Sequence, residues 1–218
     1  MNPSTQIHHL APTPLPQSYS PLITPVQSTT LSPFPLSQLF NTATTLLLPS
    51  ILPTSSTPEF LSSLSASLKA KGKLQITLIN PIPRPSTTGP LMSIWLETHL
   101  LSPLRQNGIC TMPTRLFPKW LGETGLRGQG SSLTTTKFFA VPPLGATSSS
   151  GTLDDERLTK AHIRSLAGRT LWWTVWGRWI RGGKNRARGW WDDPHVMEEC
   201  AELGTIWEYQ VIEAVKDG

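Results

Sequence analysis

The apolar positions of this chain change period several times, and each change marks an element. Phe60, Leu61, Leu64 and Leu68 recur near the 3.6-residue period, which predicts a helix with one apolar stripe. Thr57 is placed to cap it, Pro58 suits its first turn, Lys69 and Lys71 suit its last, and Gly72 is placed to end it. From Lys73 the period becomes two. Leu74, Ile76 and Leu78 alternate with Gln75, Thr77 and Ile79, as in a strand buried on one face. Asn80, Pro81 and Pro83 stop that strand, because proline cannot donate to a ladder. A helix feeding a strand this directly predicts an α/β sheet. Its ligand crevice would lie beyond the strand's carboxyl end, with Asn80 and Arg84 as candidates to line it.

Upstream, Leu39, Phe40, Ala43, Leu46 and Leu47 fit a short helix, while residues 44–48 fit a β run equally well. Downstream, Thr88 and Pro90 open a helix to about 101 with Leu91, Ile94, Trp95 and Leu101 as its apolar face, and Pro103 kinks or ends it. Residues 113–123 predict a further helix with Leu116, Phe117, Trp120 and Leu121 inward and Gly125 as its stop. Residues 132–141 alternate, placing Leu133, Thr135, Lys137, Phe139 and Val141 against Thr134, Thr136, Phe138 and Ala140, until Pro142 and Pro143 intervene. After a loop to 152, Asp154, Asp155 and Glu156 open a long helix reaching Ile180. A basic turn with Lys184, Arg186 and Arg188 follows, then a helix from Asp193 and Pro194 to about Leu203, and a last strand over 205–215. The strands at 132–141 and 205–215 are expected to pair antiparallel beside the strand at 73–79, giving a mixed sheet.

Composition shortens the part expected to fold. Residues 1–58 contain no Asp, Glu, Lys, Arg or Gly, and prolines stand at 3, 12, 14, 16, 21, 25, 33 and 35. That spacing predicts a disordered or polyproline-like lead over 1–36 and an α/β domain over 37–218. A proline-rich ligand for SH3 or WW domains is the alternative use of the lead, although the basic flanks such ligands carry are missing. The net charge of +5 belongs to the remainder and fits a solvated surface without demanding nucleic acid. Two cysteines, Cys110 and Cys200, cannot build a tetrahedral thiolate site alone. No basic segment leads into an apolar one at the amino terminus, Pro49 breaks the longest apolar run, and the first 83 residues hold no arginine. These features predict a cytoplasmic protein with no membrane span and no mitochondrial leader.

Tryptophans are the most conspicuous side chains. Ile163, Leu166, Thr170, Trp173, Gly177 and Ile180 fall on one helical stripe, and Trp172, Trp176 and Trp179 on a second. Stripes this broad belong to a core or a pocket wall, which makes Trp95, Trp172 and Trp176 candidates to line a substrate pocket. The competing use is a basic aromatic surface for nucleic acid, made with Arg178, Arg181, Lys184, Arg186 and Arg188. His8, His9, His99, His162 and His195 have no neighbours at metal-ligand spacing, and no metal site is expected. Asp154, Asp155, Asp192 and Asp193 stand at predicted helix starts, where capping accounts for them. No catalytic residue can be nominated.

The order of elements is similar to the carboxyl-terminal half of a class I S-adenosylmethionine-dependent methyltransferase, whose last two strands form an antiparallel pair at the sheet edge. LPSILPTSS at 48–56, LKAKGKLQITLINPIPR at 68–84, GPLMSIWLETHLL at 89–101 and CTMPTRLFPKWLGETGL at 110–126 resemble successive blocks of a fungal methyltransferase-like group. So do TTTKFFAVP at 134–142 and WWDDPHVMEECAELGTIWEYQVIEAVK at 190–216. Residues 68–79 resemble the family's LKPGG passage from helix to strand, with Ala70 and Lys71 in place of its proline and first glycine. Asn80 stands where the family commonly has an acidic residue.

The resemblance implies an incomplete Rossmann-like methyltransferase fold, a mixed sheet ending in an antiparallel strand pair. It also implies S-adenosylmethionine as cofactor and a small-molecule methyl acceptor. Class I enzymes hold the cofactor over a glycine-rich turn after the first strand and commonly bind its ribose with an acidic residue ending the second. Here the first glycine is Gly72, the first aspartate is Asp154, and Glu59 is the only carboxylate before residue 97. A Cβ would block the close approach such a turn makes. Two readings stay open: a methyltransferase-like protein without its cofactor-binding half, inactive alone or a truncated gene model, and a non-catalytic binding or interaction module. Missing strands are expected to leave apolar surface and a sheet edge exposed for a partner or for self-association, unless 36–52 supplies a substitute strand.

Overall fold

The computed structural model of the protein describes residues 7–11, 23–27, 40–142, 153–180 and 189–218. Its centre is a four-stranded sheet in the order β3 (Phe40–Thr45), β4 (Leu68–Ile79), β6 (Ile206–Val215), β5 (Ser132–Phe139). β3 runs parallel to β4, and β6 runs antiparallel to both β4 and β5. The fold is therefore mixed α/β with an antiparallel terminal strand pair. Two further strands, β1 (Ile7–Ala11) and β2 (Ile23–Gln27), pair in parallel with each other. They fall inside the proline-rich lead, whose proline spacing argues against a helix or a central strand, and a two-stranded pair has no central strand. Pro25 stands opposite His9 in this pair, and a two-stranded sheet tolerates proline because each strand keeps an outer edge that needs no donor.

The period-two segment of β4 divides the core. Leu74, Ile76 and Leu78 join Ile212 and Ala214 under α2 (Thr57–Ser67) and α5 (Pro113–Glu123), where Leu61, Leu64, Phe117 and Leu121 are buried. On the other face Ile79, Trp207 and Phe138 meet α6 (Leu153–Trp176) in a second cluster. The rest of that face is mostly polar, with Val211 its exposed apolar side chain. Lys73 pairs with Glu213 at 2.7 Å, the Thr44 hydroxyl donates to Gln75 Oε1 at 3.2 Å, and Thr77, Val211 and Thr134 align across three strands. The apolar exposure expected of β4 is thus absent, because its uncovered positions are polar and because β3 takes the neighbouring place in the sheet. Of the ambiguous segment at 36–52, the described residues, from 40 on, form β3 followed by the single turn α1 (Leu48–Ile51).

Three boundaries differ from the periodicity. α2 ends at Ser67, not near Gly72, so Lys69 and Lys71 lie in the strand. The register with β3 jumps from Phe40 opposite Leu68 to Thr42 opposite Lys73, and this bulge places Lys71 at φ 60°. Gly72 serves the bulge, since a Cβ there would stand 2.8 Å from the Lys69 carbonyl oxygen. The helix α3 (Pro90–Leu96) does not stop at Pro103. It widens into a π turn at Glu97–Leu101 and continues as α4 (Ser102–Gln106), the wide turn absorbing the missing donor. Its buried face is Met92, Trp95, Leu96 and Leu100, while Leu91 and Ile94 are exposed.

In α6 the buried positions are Ser165, Gly168, Trp172, Val175 and Trp176. The stripe through Ile163, Leu166 and Thr170 points outward instead. α7 (Pro194–Leu203) matches its sequence signals. Asp193 Oδ1 accepts from the His195 and Val196 amides at 3.0 and 3.3 Å, and Gly204 closes the helix at φ 58°. The loop at 143–152 and the basic turn carrying Lys184, Arg186 and Arg188 lie outside the described residues. No helix among those described is long and apolar enough to cross a membrane.

Candidate functional site

The carboxyl ends of the parallel strands β3 and β4 are where an α/β sheet offers a crevice, and here tryptophans close over them. Trp172 donates its indole N–H to the Pro81 carbonyl at 3.0 Å, and Trp179 donates to the Ser50 carbonyl at 2.7 Å. The end of α6 and the 3-10 turn at Gly177–Trp179 therefore tie down the chain leaving β4 and the α1 turn that follows β3. Trp190 stacks on Trp207 with centroids 4.9 Å apart, and Trp207 stacks on Phe138 at 6.1 Å. Trp172 meets Trp190 and Trp207 edge-on, and Trp95 at a tilt with a centroid separation of 6.4 Å. Offset and edge-on contacts of this kind add to the burial free energy of the rings.

Arg169 caps the stack. Its guanidinium carbon lies 5.3 Å from the Trp190 ring centroid, while Nε and NH2 donate to the Ala140 carbonyl at 3.0 and 2.5 Å. Burial lowers its pKa, partly opposed by the nearby Cys200. Burial also raises the Cys200 thiol, a hydrogen bond with Thr205 opposing it, and the same desolvation raises Cys110. The two thiols are free and lie in different core clusters. Neither has the exposed, electropositive setting of a reactive cysteine.

The candidates named from sequence are held by structural contacts. Asn80 Oδ1 accepts from the Thr114 amide at 3.2 Å and from its hydroxyl at 2.9 Å, at the start of α5. Arg84 is half exposed, 3.8 Å from Glu208, and its amide donates to the Ile206 carbonyl at 2.8 Å. Trp95, Trp172 and Trp176 come together in one buried cluster. Asn80 and Arg84 make the polar contacts given above and are not members of that cluster.

Two polar side chains of consequence were not found from sequence. Arg169 could have been, because it is a lone charge beside the tryptophan stripe. Glu199 left no signal. Its carboxylate accepts from the Leu91 and Met92 amides at 2.8 Å each, capping α3 from a different helix. Only tertiary packing brings these residues, 108 and 107 positions apart, together.

The indole nitrogens of Trp176, Trp190 and Trp207 have no hydrogen-bond partner among the described residues. All three rings are fully buried, so a ligand could reach them only by displacing the core. Among the described residues no three His, Cys, Asp or Glu side chains gather as metal ligands.

No protein-family model matches the chain. No curated protein matches it either. Solved structures do. A methyltransferase-like protein from Bacillus halodurans, described as a putative methyltransferase, is 11% identical over 90% of this chain and 72% of its own, with a TM-score of 0.44. Haemonchus contortus phosphoethanolamine N-methyltransferase 2 aligns in two structures. One holds phosphomonomethylethanolamine and S-adenosylhomocysteine, the other S-adenosylmethionine. Each is 12% identical and covers 82% of this chain, with TM-scores of 0.37 and 0.38. The chain spans 34% of the length of those worm enzymes.

Proposed function

We propose that this chain is a methyltransferase-like protein without its own cofactor-binding half, inactive alone, in a reducing compartment such as the cytoplasm. The observation that supports the reading is the reversed last strand. β6 enters antiparallel between β4 and β5, while β3 and β4 keep the parallel arrangement of an α/β sheet. S-adenosylmethionine is the cofactor the resemblance implies, and the described residues do not fit it. The strand ends offer carbonyls already bonded to indoles and an Asn80 already bonded to Thr114. No carboxylate ends β3 or β4 to take a ribose. Titration calorimetry of the full chain with S-adenosylmethionine is expected to show no heat of binding in the micromolar range. Micromolar binding would overturn the proposal.

The methyl acceptor would be a small molecule in the family reading, with Trp95, Trp172 and Trp176 as its wall. Their burial supports a packing role for the rings over a pocket role. The same burial removes Trp172, Trp176 and Trp190 from base stacking, which a nucleic-acid surface would need.

A further inference from the structure

Six tryptophans form one connected run of ring contacts. Trp95 meets Trp172 with centroids 6.4 Å apart, Trp172 meets Trp207 at 6.2 Å and Trp190 at 6.4 Å, and Trp190 stacks on Trp207 at 4.9 Å. From this inner group the contacts lead outward. Trp191 lies 5.1 Å from Trp190 and 5.9 Å from Trp172, and Trp173 lies 5.5 Å from Trp191. The four inner rings are buried, whereas Trp191 and Trp173 are half-buried.

Indole gives up a single electron more readily than most side chains, and rings in contact exchange electrons quickly. The nitrogen of an oxidised indole is acidic, so the missing electron is trapped wherever the N–H proton can leave. Trp190 and Trp207 have no hydrogen-bond partner for that N–H among the described residues, and Trp172 donates to the Pro81 carbonyl, a neutral acceptor and no base. On these rings the proton stays and the missing electron remains mobile. Of the six, only Trp191 and Trp173 meet water that can take the proton. Cys200 lies in the same cluster but holds its proton, because burial raises its pKa, and offers no thiolate as a competing donor.

Fixed charges favour the same direction. The Arg169 guanidinium carbon, 5.3 Å from the Trp190 centroid, opposes positive charge on that inner ring. Asp192 Oδ2 accepts from the Gly189 amide at 2.9 Å, and a Cβ on Gly189 would stand 2.3 Å from the Trp191 ring. A carboxylate is thus held against the residue on which Trp191 rests, where it favours positive charge on the outer ring.

We propose that these tryptophans are an outlet for one-electron oxidation of the core. A one-electron oxidant such as a peroxyl radical, or a photon that ejects an electron, removes one electron from an inner indole. An electron from Trp191 refills that ring, directly or through the rings between, and Trp173 can refill Trp191 in turn. The outer indole releases its N–H proton to water and becomes a neutral radical. A soluble one-electron reductant such as ascorbate returns the electron, water returns the proton, and every ring is left intact. The outlet rests on ring contacts and burial, and does not depend on whether the chain binds S-adenosylmethionine.

Laser photoionisation of the full chain tests it, because light removes electrons from buried and exposed indoles alike. Transient absorption separates the indole radical cation from the deprotonated neutral radical. The expected result is conversion of cation to neutral radical, followed by rapid removal of the radical by ascorbate. Trp173→Phe with Trp191→Phe keeps a ring at each outer position but one far harder to oxidise. In that variant the cation is expected to persist, and ascorbate to remove it about tenfold more slowly or worse, since the reductant must wait for the core to open. Circular dichroism checks that the variant keeps the fold. Peptide mass spectrometry after irradiation in air should place oxidised residues on Trp173 and Trp191 in the parent, and on the inner four rings in the variant. Trp120, which meets Phe117 in the other core cluster, is the internal reference and should be oxidised equally in both. A double variant cleared by ascorbate as fast as the parent would overturn the proposal. So would a parent whose oxidised residues are spread over the inner rings.

Discussion

One carboxylate fixes the angle between two helices. Glu199 sits in the middle of α7, and its two oxygens satisfy the Leu91 and Met92 amides, which no intrahelical partner can reach. The negative charge also meets the positive end of α3. Glu199→Ala removes two charge-assisted bonds and is expected to cost about 2 kcal/mol in urea unfolding. Glu199→Gln keeps an acceptor oxygen and should cost less. Gly168 poses the opposite question. In an open helix Gly168→Ala would gain about 1 kcal/mol from propensity. Here the new Cβ would stand 2.3 Å from the Phe138 ring, and overpacking of that kind costs about 1–3 kcal/mol. Sterics should win, lowering Tm, and a second change of Phe138→Leu should recover part of the loss.

At the scale of elements, the bulge in β4 is where local signals and tertiary structure part. Gly72 after two lysines reads as a helix stop, yet pairing with β3 extends the strand back to Leu68. A left-handed conformation at a lysine costs about 1–2 kcal/mol. Lys71→Gly is expected to stabilise the protein by about 0.5–1 kcal/mol, part of the gain being offset by a freer unfolded chain. Gly72→Ala is expected to destabilise it, and thermal melts of the two variants should move in opposite directions. Elements with strong periods were legible: the alternation at Leu74, Ile76 and Leu78, the stripe of α5, and the Asp193-Pro194 start of α7. The face of α6 was not. Both of its stripes are apolar, and the choice between them was made by Gly168, whose missing side chain admits Phe138. The tryptophan cluster was legible as a group of residues but not as a plug over the strand ends, because that depends on indole bonds to Pro81 and Ser50, distant in sequence.

For the whole molecule, the two core clusters either side of the sheet each bury one free thiol, Cys200 in one and Cys110 in the other. That symmetry makes stability depend on alkaline pH. Both thiols have pKa values raised chiefly by burial, so the folded protein holds their protons at pH values where the unfolded chain has released them. Their contribution is fully present below the unfolded thiol pKa, about 8.5, and is lost as pH rises from there through the folded values. Tm is expected to fall as pH is raised above about 8.5. The variant carrying Cys110→Ala and Cys200→Ala should begin from a lower Tm, since each change removes buried volume, but show a shallower alkaline slope. Single variants should each remove part of that slope. If the two sides of the sheet unfold as one unit, as shared burial along β4 and β6 requires, a thiol reagent in excess will label Cys110 and Cys200 at the same rate. Unequal rates would mean that the tryptophan layer opens separately from the α2 and α5 side.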